Sequence, residues 1–248
     1  MENGRKSLEK SPVNSGLKSH LEIISGLMDP GRLPGERRLV FVHGEARVLK
    51  RVQALAAMFL VGGCQKLLIL DGANAFDPFN FTQLAVEKGI EPRELLRRIR
   101  ISRSFTAHQM LSLLRRLPGN HGGIGFSPYL LLGPLTSFYD ENVPDYEAKT
   151  LVRQLVQELE RLAGAGIPLL VVCQQPVVTR RRFFARELAR QADVLLSLKD
   201  VEHCLALPWG IVGGGLAGSG QAGTIDIGTD HGEEPVADRK EGLWDAPF

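Results

Sequence analysis

The sequence predicts an α/β protein with a mainly parallel central sheet and helices on both of its faces. Short continuous apolar runs such as Leu67–Leu70, Tyr129–Leu132 and Leu169–Cys173 have the character of strands buried on both sides. Helical patterns separate these runs, and such alternation makes a parallel sheet. A chain of 248 residues, 44% apolar and 23% charged, can bury a core of this kind as one large domain or two small ones.

Residues 1–18 are polar and aperiodic and read as a disordered arm, followed by a short amphipathic helix around His20–Met28. The core starts after Pro34. A strand is expected over Leu39–His43, a helix near Val48–Leu60 and a strand over Lys66–Leu70. Helices near Phe81–Lys88 and Pro92–Arg98 come next, then a strand over Ile99–Ser102, a helix over Ala107–Leu117 and a strand over Tyr129–Leu132. A long helix over about Tyr146–Ala165 carries Leu151, Val152, Leu155, Val156, Leu159 and Leu162 as one apolar stripe, and Gly164 and Gly166 end it. Strands over Pro168–Cys173 and Asp193–Leu198 complete an α/β domain spanning 19–208. Beyond Pro208 the pattern collapses into glycines and then acidic, proline-containing sequence, so 209–248 reads as a disordered tail.

Composition excludes several classes. No apolar run is long enough to cross a bilayer, and residues 1–18 lack the apolar stretch of a secretory signal. Cys64, Cys173 and Cys204 lie far apart with no C-x-x-C pair, which argues against a zinc ribbon or disulfide framework and for a reducing, cytoplasmic setting. The histidines are scattered without H-x-x-x-H spacing, so no metal site is expected. The formal charge of +2 hides an asymmetry: Asp226–Phe248 carries a net −5, leaving +7 for residues 1–225. A basic body favours an anionic partner, and a solvated surface explains the excess equally well.

Ligands of parallel sheets sit at the carboxyl ends of the strands, which directs attention to His43–Arg51, Asp71–Pro78, Gly133–Asp140 and Gln174–Arg182. A phosphate loop needs G-x-x-x-x-G-K-[ST], in which glycines let amides close on phosphate, Lys neutralises it and the hydroxyl ligates magnesium. After the first strand, Gly44 and Lys50 have that spacing. The second glycine is Leu49, however, and the hydroxyl position is Arg51.

Four further segments carry a family likeness. Gly62-Gly63 leads through Gln65–Leu70 to Asp71, Phe76 and Pro78. Ile101-Ser102-Arg103-Ser104-Phe105 precedes His108-Gln109. Tyr129–Leu132 is followed by Thr136 and Tyr139, and Val171-Val172-Cys173 leads to Gln174. In this order, over roughly residues 34–200, they resemble the RecA-like recombinase ATPases, including the archaeal and eukaryotic strand-exchange proteins and their paralogues. The resemblance implies a RecA-like P-loop NTPase core, with Tyr129–Leu132 as the Walker B strand and Gln174 as a phosphate sensor. It makes Gly44, Lys50 and Gln174 the candidate nucleotide contacts.

The chain departs from that family where the chemistry is done. The family's water-polarising Glu is replaced by Ala73, and the Walker B Asp by Gly133. Phosphoryl transfer depends on positioning and charge stabilisation by such groups, so losing both should be disabling. The expectation is a pseudo-ATPase with no required cofactor, in which Lys50, Arg47 and Arg51 could still hold ATP by charge without efficient hydrolysis. Asp140 and Glu141 lie too far along their loop to be confident replacement metal ligands.

In the resembled family the loop after the sensor strand enters single-stranded DNA. Here Gln174–Arg190 holds five arginines, one acid and two adjacent phenylalanines. Arg180, Arg181, Arg182, Phe183 and Arg186 are the candidate DNA contacts, by phosphate neutralisation and base stacking. The bland alternative is an amphipathic helix starting near Thr179, with Phe183, Phe184 and Leu188 on the sheet and the arginines solvated. A second basic run, Arg93, Arg97, Arg98, Arg100 and Arg103, reads as surface or as a second phosphate track. Trp244, in the acidic tail, is a candidate docking residue for a partner protein, and the tail's acids could instead compete with DNA for the basic face. Gly213–Gly218 satisfies G-x-G-x-x-G but lacks the βαβ context of a dinucleotide site.

The leading expectation is a catalytically degenerate RecA-like accessory protein of DNA repair or recombination, binding DNA, single-stranded by this chemistry, and a repair or recombination protein. The alternatives are a divergent ATP-binding RecA-like ATPase and a protein-binding regulator without DNA affinity.

Overall fold

In the computed structural model of the protein, residues 39–117, 128–140, 142–175 and 179–206 are described. The arm at 1–18, the helix expected at His20–Met28, Glu141, the Gly213–Gly218 motif and the tail at 209–248 with Trp244 lie outside them. Six strands form one sheet: β1 (Leu39–Gly44), β2 (Leu67–Asp71), β3 (Ile99–Arg103), β4 (Tyr129–Leu132), β5 (Leu169–Gln174) and β6 (Val194–Ser197). Their order is β3-β2-β4-β5-β1-β6, and every pairing is parallel.

Parallel neighbours cannot be joined by hairpins, so each connection crosses a face of the sheet through helix. The helices are α1 (Val48–Val61), α2 (Phe79–Glu87), α3 (Pro92–Arg97), α4 (Ala107–Arg116), α5 (Asp145–Gly164), α6 (Phe183–Gln191) and α7 (Leu198–Ala206). Alternate strand residues split the core in two. Val40, Val42 and Ile69 pack on one face beneath α1, α2, α3 and α7, and Phe41, Leu70 and Leu131 on the other beneath α4, α5 and α6. β1, β2 and β4 are buried throughout, which is why they read as unbroken apolar runs.

Local chemistry sets the helix ends. Glu91 accepts from the Glu94 amide with Pro92 in the first turn of α3, and Thr106 accepts from the Gln109 amide to start α4. Gln109 reaches back to accept from the Phe105 amide at 2.8 Å, so the Thr106 to Gln109 segment is a capping device. α5 begins with Asp145 and Glu147, which favour the positive end of its dipole. It ends at Gly164, and Gly166 turns the chain with φ +77°. The helix expected near Thr179 begins as a single tight turn, and the α-helix proper starts later. Thr179–Arg181 forms a 3₁₀ turn, and α6 begins at Phe183.

Among the described residues no helix is long and apolar enough to cross a membrane. Cys64 and Cys173 are buried, and burial pushes the Cys173 thiol up to about 12, with a hydrogen bond from the Leu135 backbone opposing the shift. Cys173 is therefore expected to resist alkylation in the native protein at mildly alkaline pH and to react only as the protein unfolds. Peptide mapping after timed iodoacetamide treatment tests this, and rapid native labelling of Cys173 would contradict a closed sheet at the end of β5.

Candidate functional site

The all-parallel sheet brings the ends of β1, β2, β4 and β5 to one edge. Register there pairs Gly44 with Gln174 and Asp71 with Leu132, so the candidate positions on four chain segments become neighbours. Helices leave β1 and β5 for opposite faces of the sheet, as they do β2 and β4, which is the arrangement of a ligand crevice.

At the end of β1 the loop is tight. α1 has already started at Val48, and the amides of Leu49, Lys50 and Arg51 donate to the carbonyls of Ala46, Arg47 and Arg47. These are the amides of the second-glycine, lysine and hydroxyl positions of a phosphate loop, and here they are committed within the turn and the helix. Leu49 is buried in the core, whereas Lys50 is exposed. Gly44 is required by close packing, because a Cβ there would lie 2.6 Å from the Cβ of Leu198, the first residue of α7. Glu202 on α7 approaches both Arg47 and Arg51 at 3.7 Å. Gly44 and Gln174 thus stand side by side, and Lys50 follows, exposed, in the first turn of α1.

His43 is buried one residue before Gly44, in register with Ser197. Burial holds its pKa below the ordinary histidine value, while the Asp200 carboxylate opposes that shift. Asp200 itself is engaged by the amide of Ser197 at 2.6 Å and its hydroxyl at 2.8 Å, capping α7.

The second half of the edge is closed as well. The Asp71 side chain is fully buried, accepts from the amides of Ala75 and Phe76, and lies 3.5 Å from Arg103. Gly133 has φ +55°, which suits glycine, and a Cβ on it would lie 2.5 Å from the Cβ of Ala73. Ala73 and Gly133, which the resemblance aligns with the water-polarising Glu and the Walker B Asp, therefore pack on each other. Gly72 completes the seam: a Cβ there would meet the Gly133 carbonyl at 2.8 Å. No three His, Cys, Asp or Glu residues converge as metal ligands among the described residues.

The basic segment after β5 is divided by burial. Arg181 is 2% exposed and is corrected from a candidate DNA contact to an anchor. Its guanidinium donates to the carbonyls of Phe138, Asp140 and Val143 and to the Asp145 carboxylate. That hydrogen bond, with Arg180 and Lys149 nearby, holds the Asp145 carboxyl below its usual range. The anchor ties the 3₁₀ turn to the loop after β4, leaving Arg180 exposed and Arg182, Phe183 and Arg186 half-buried along the rim. Phe184 is buried beside Phe183 and stacks on Tyr139.

Searches against protein-family models and curated protein sequences give no match to this chain.

The second basic run is dispersed. Arg97 pairs with Glu94, Arg98 donates to the Leu60 carbonyl at the end of α1, and Arg103 faces Asp71. Sequence reasoning missed Leu198 and Glu202, which fill and neutralise the mouth of the β1 loop. It also missed Asp145, whose acid at the start of α5 was the only available cue.

Two substitutions test this geometry. Gly133→Asp, which places there the acid that the resembled family carries, is expected to destabilise the fold by about 2 kcal/mol or more, by strain at positive φ and a clash with Ala73, and to create no manganese site. Urea unfolding and metal titration read both effects, and metal binding at unchanged stability would refute the closed seam. Arg181→Ala is expected to cost about 3 kcal/mol, because three carbonyls lose their donor. Arg180→Ala should leave the urea midpoint nearly unchanged.

Proposed function

We propose that the chain is a RecA-like protein that has given up ATP hydrolysis and acts in DNA repair or recombination by binding single-stranded DNA and a partner protein. The observation that carries the first half is the contact between Ala73 and Gly133. The residue that would polarise water and the residue that would hold the magnesium shell are both replaced, and the space between them is closed. The tight β1 loop, with Leu198 against Gly44 and Glu202 beside Arg47 and Arg51, supports the same reading.

Support for a RecA-like core comes from the order of the resembling segments and from the adjacency of β1 to β5, which sets Gly44 beside Gln174. The DNA half rests on the rim around Arg181. Fixing one arginine inside the protein pre-orients Arg180, Arg182, Phe183 and Arg186 around it, so that phosphate contact costs little further ordering. The repair and recombination setting rests on the family resemblance alone.

Two measurements test the proposal. ATP binding, followed by calorimetry with and without magnesium beside a Lys50→Ala variant, is expected to be absent at millimolar nucleotide. Tight binding that needs both magnesium and Lys50 would overturn the pseudo-ATPase reading. Fluorescein-labelled oligo(dT) is expected to bind with an affinity that falls steeply with salt. Arg180→Ala/Arg182→Ala, which spares the anchor, should lower the slope of log K against log salt by about 0.7 per lost contact. No binding of oligo(dT) by the wild type would turn the assignment towards a protein-binding regulator.

A further inference from the structure

α2 differs from its neighbours in what it leaves outside. The exposed positions of α3 are Arg93, Glu94 and Arg97, and those of α4 are His108, Gln109, Arg115 and Arg116, all polar as a solvated face requires. α2 buries Phe81 and Ala85 and packs Leu84 against the core, yet it presents two more large apolar groups on its other side. Phe79 is 62% exposed and Val86 67% exposed. With Gln83 they stand at i, i+4 and i+7, on one outer face. Gln83 turns along the helix to donate to Glu87 at 3.1 Å.

The sequence holds a matching stripe. Residues 20–28, which lie outside the described residues, carry Leu21, Ile24 and Met28 at i, i+3 and i+7, with Asp29 and Pro30 directly after them. A helix this short is marginal in water by itself, so its apolar stripe calls for a surface. α2 is within reach. Residues 29–38, between Met28 and the start of β1, span roughly 35 Å when extended. β1 and β2 are separated by β5 and β4, which is roughly 15 Å across the sheet, and the helix layer adds about 10 Å. Direction fits as well: α2 and α3 return the chain to the edge at which β3 starts and Leu39 enters, so Val86 is the nearer end of the apolar face.

We infer that residues 20–28 fold as a helix onto the outer face of α2 of the same molecule, with Leu21, Ile24 and Met28 covering Phe79 and Val86. A second copy is a poorer occupant. The two side chains together expose roughly 200 Å², against roughly 800 Å² per partner in a standard interface. A tethered segment meets the face at an effective concentration near millimolar and needs less area. Docking adds an outer layer over the helix that follows the loop pinned by Asp71 and Gln53, and it stands apart from the nucleotide and DNA readings.

The test is hydrogen exchange by mass spectrometry on the full chain, with a synthetic peptide of residues 20–28 as the unprotected reference. Amides of this segment are expected to exchange at least about tenfold more slowly in the protein than in the peptide. Phe79→Gln/Val86→Gln should return them to the peptide rate, and Phe105→Gln, which removes an exposed aromatic next to the β3 edge, should leave them protected. Protection should also be unchanged over a hundredfold range of protein concentration. Exchange at the peptide rate in the wild type, protection that survives the α2 double variant, or an equal loss in Phe105→Gln would each overturn the assignment. Protection that rises with concentration would place the contact between copies and overturn the intramolecular reading. Urea midpoints check that the variants fold, and Phe79→Gln alone replaces the double variant if that fails.

Discussion

An all-parallel sheet delivers every strand's last carbonyls and first loop amides to one edge, where each polar group must be satisfied by the protein or by a ligand. In this chain the protein satisfies many of them itself. The amides of Gly72 and Ala73 donate to the Leu132 carbonyl, that of Gly133 to Val172, and that of Gln175 to Gly44. Each strand's overhanging amide thus caps the end of the next, from β2 through β4 and β5 to β1. The Asp71 carboxylate adds the amides of Ala75 and Phe76.

Side-chain volume reinforces that closure. Ala73 against Gly133 and Leu198 against Gly44 are tolerated because one partner of each pair has no side chain. Such contacts are mutually dependent, since enlarging the glycine needs space that its neighbour occupies. Ala73 and Gly133 therefore do structural work, and a larger side chain placed at Gly133 alone meets steric opposition. Exposed or half-exposed charge at this end of the molecule lies on the turn held by Arg181 and at the start of α5.

The strands were legible because burial on both faces leaves an apolar run that little else mimics, as in β4. The long apolar stripe of α5 was legible for the same reason, at helical rather than strand spacing. The fate of each arginine after β5 was not. Arg180, Arg181 and Arg182 are chemically identical and adjacent, and only contacts to Phe138, Asp140, Val143 and Asp145, some forty residues earlier, distinguish the middle one. Likewise, nothing local to Gly44 announces Leu198. Periodicity reports which face a residue turns to the core, whereas pairings distant in sequence depend on how the strands are ordered.

The distribution of charge carries the argument one step further. Burying Arg181 is tolerable because several acceptors converge on it, including a carboxylate. On the other side of α5 the pairs with α4, His108 to Glu147 and Arg115 to Glu158, are largely exposed and individually weak. The buried guanidinium therefore contributes more than either surface pair to holding the loop after β4 against the start of α5.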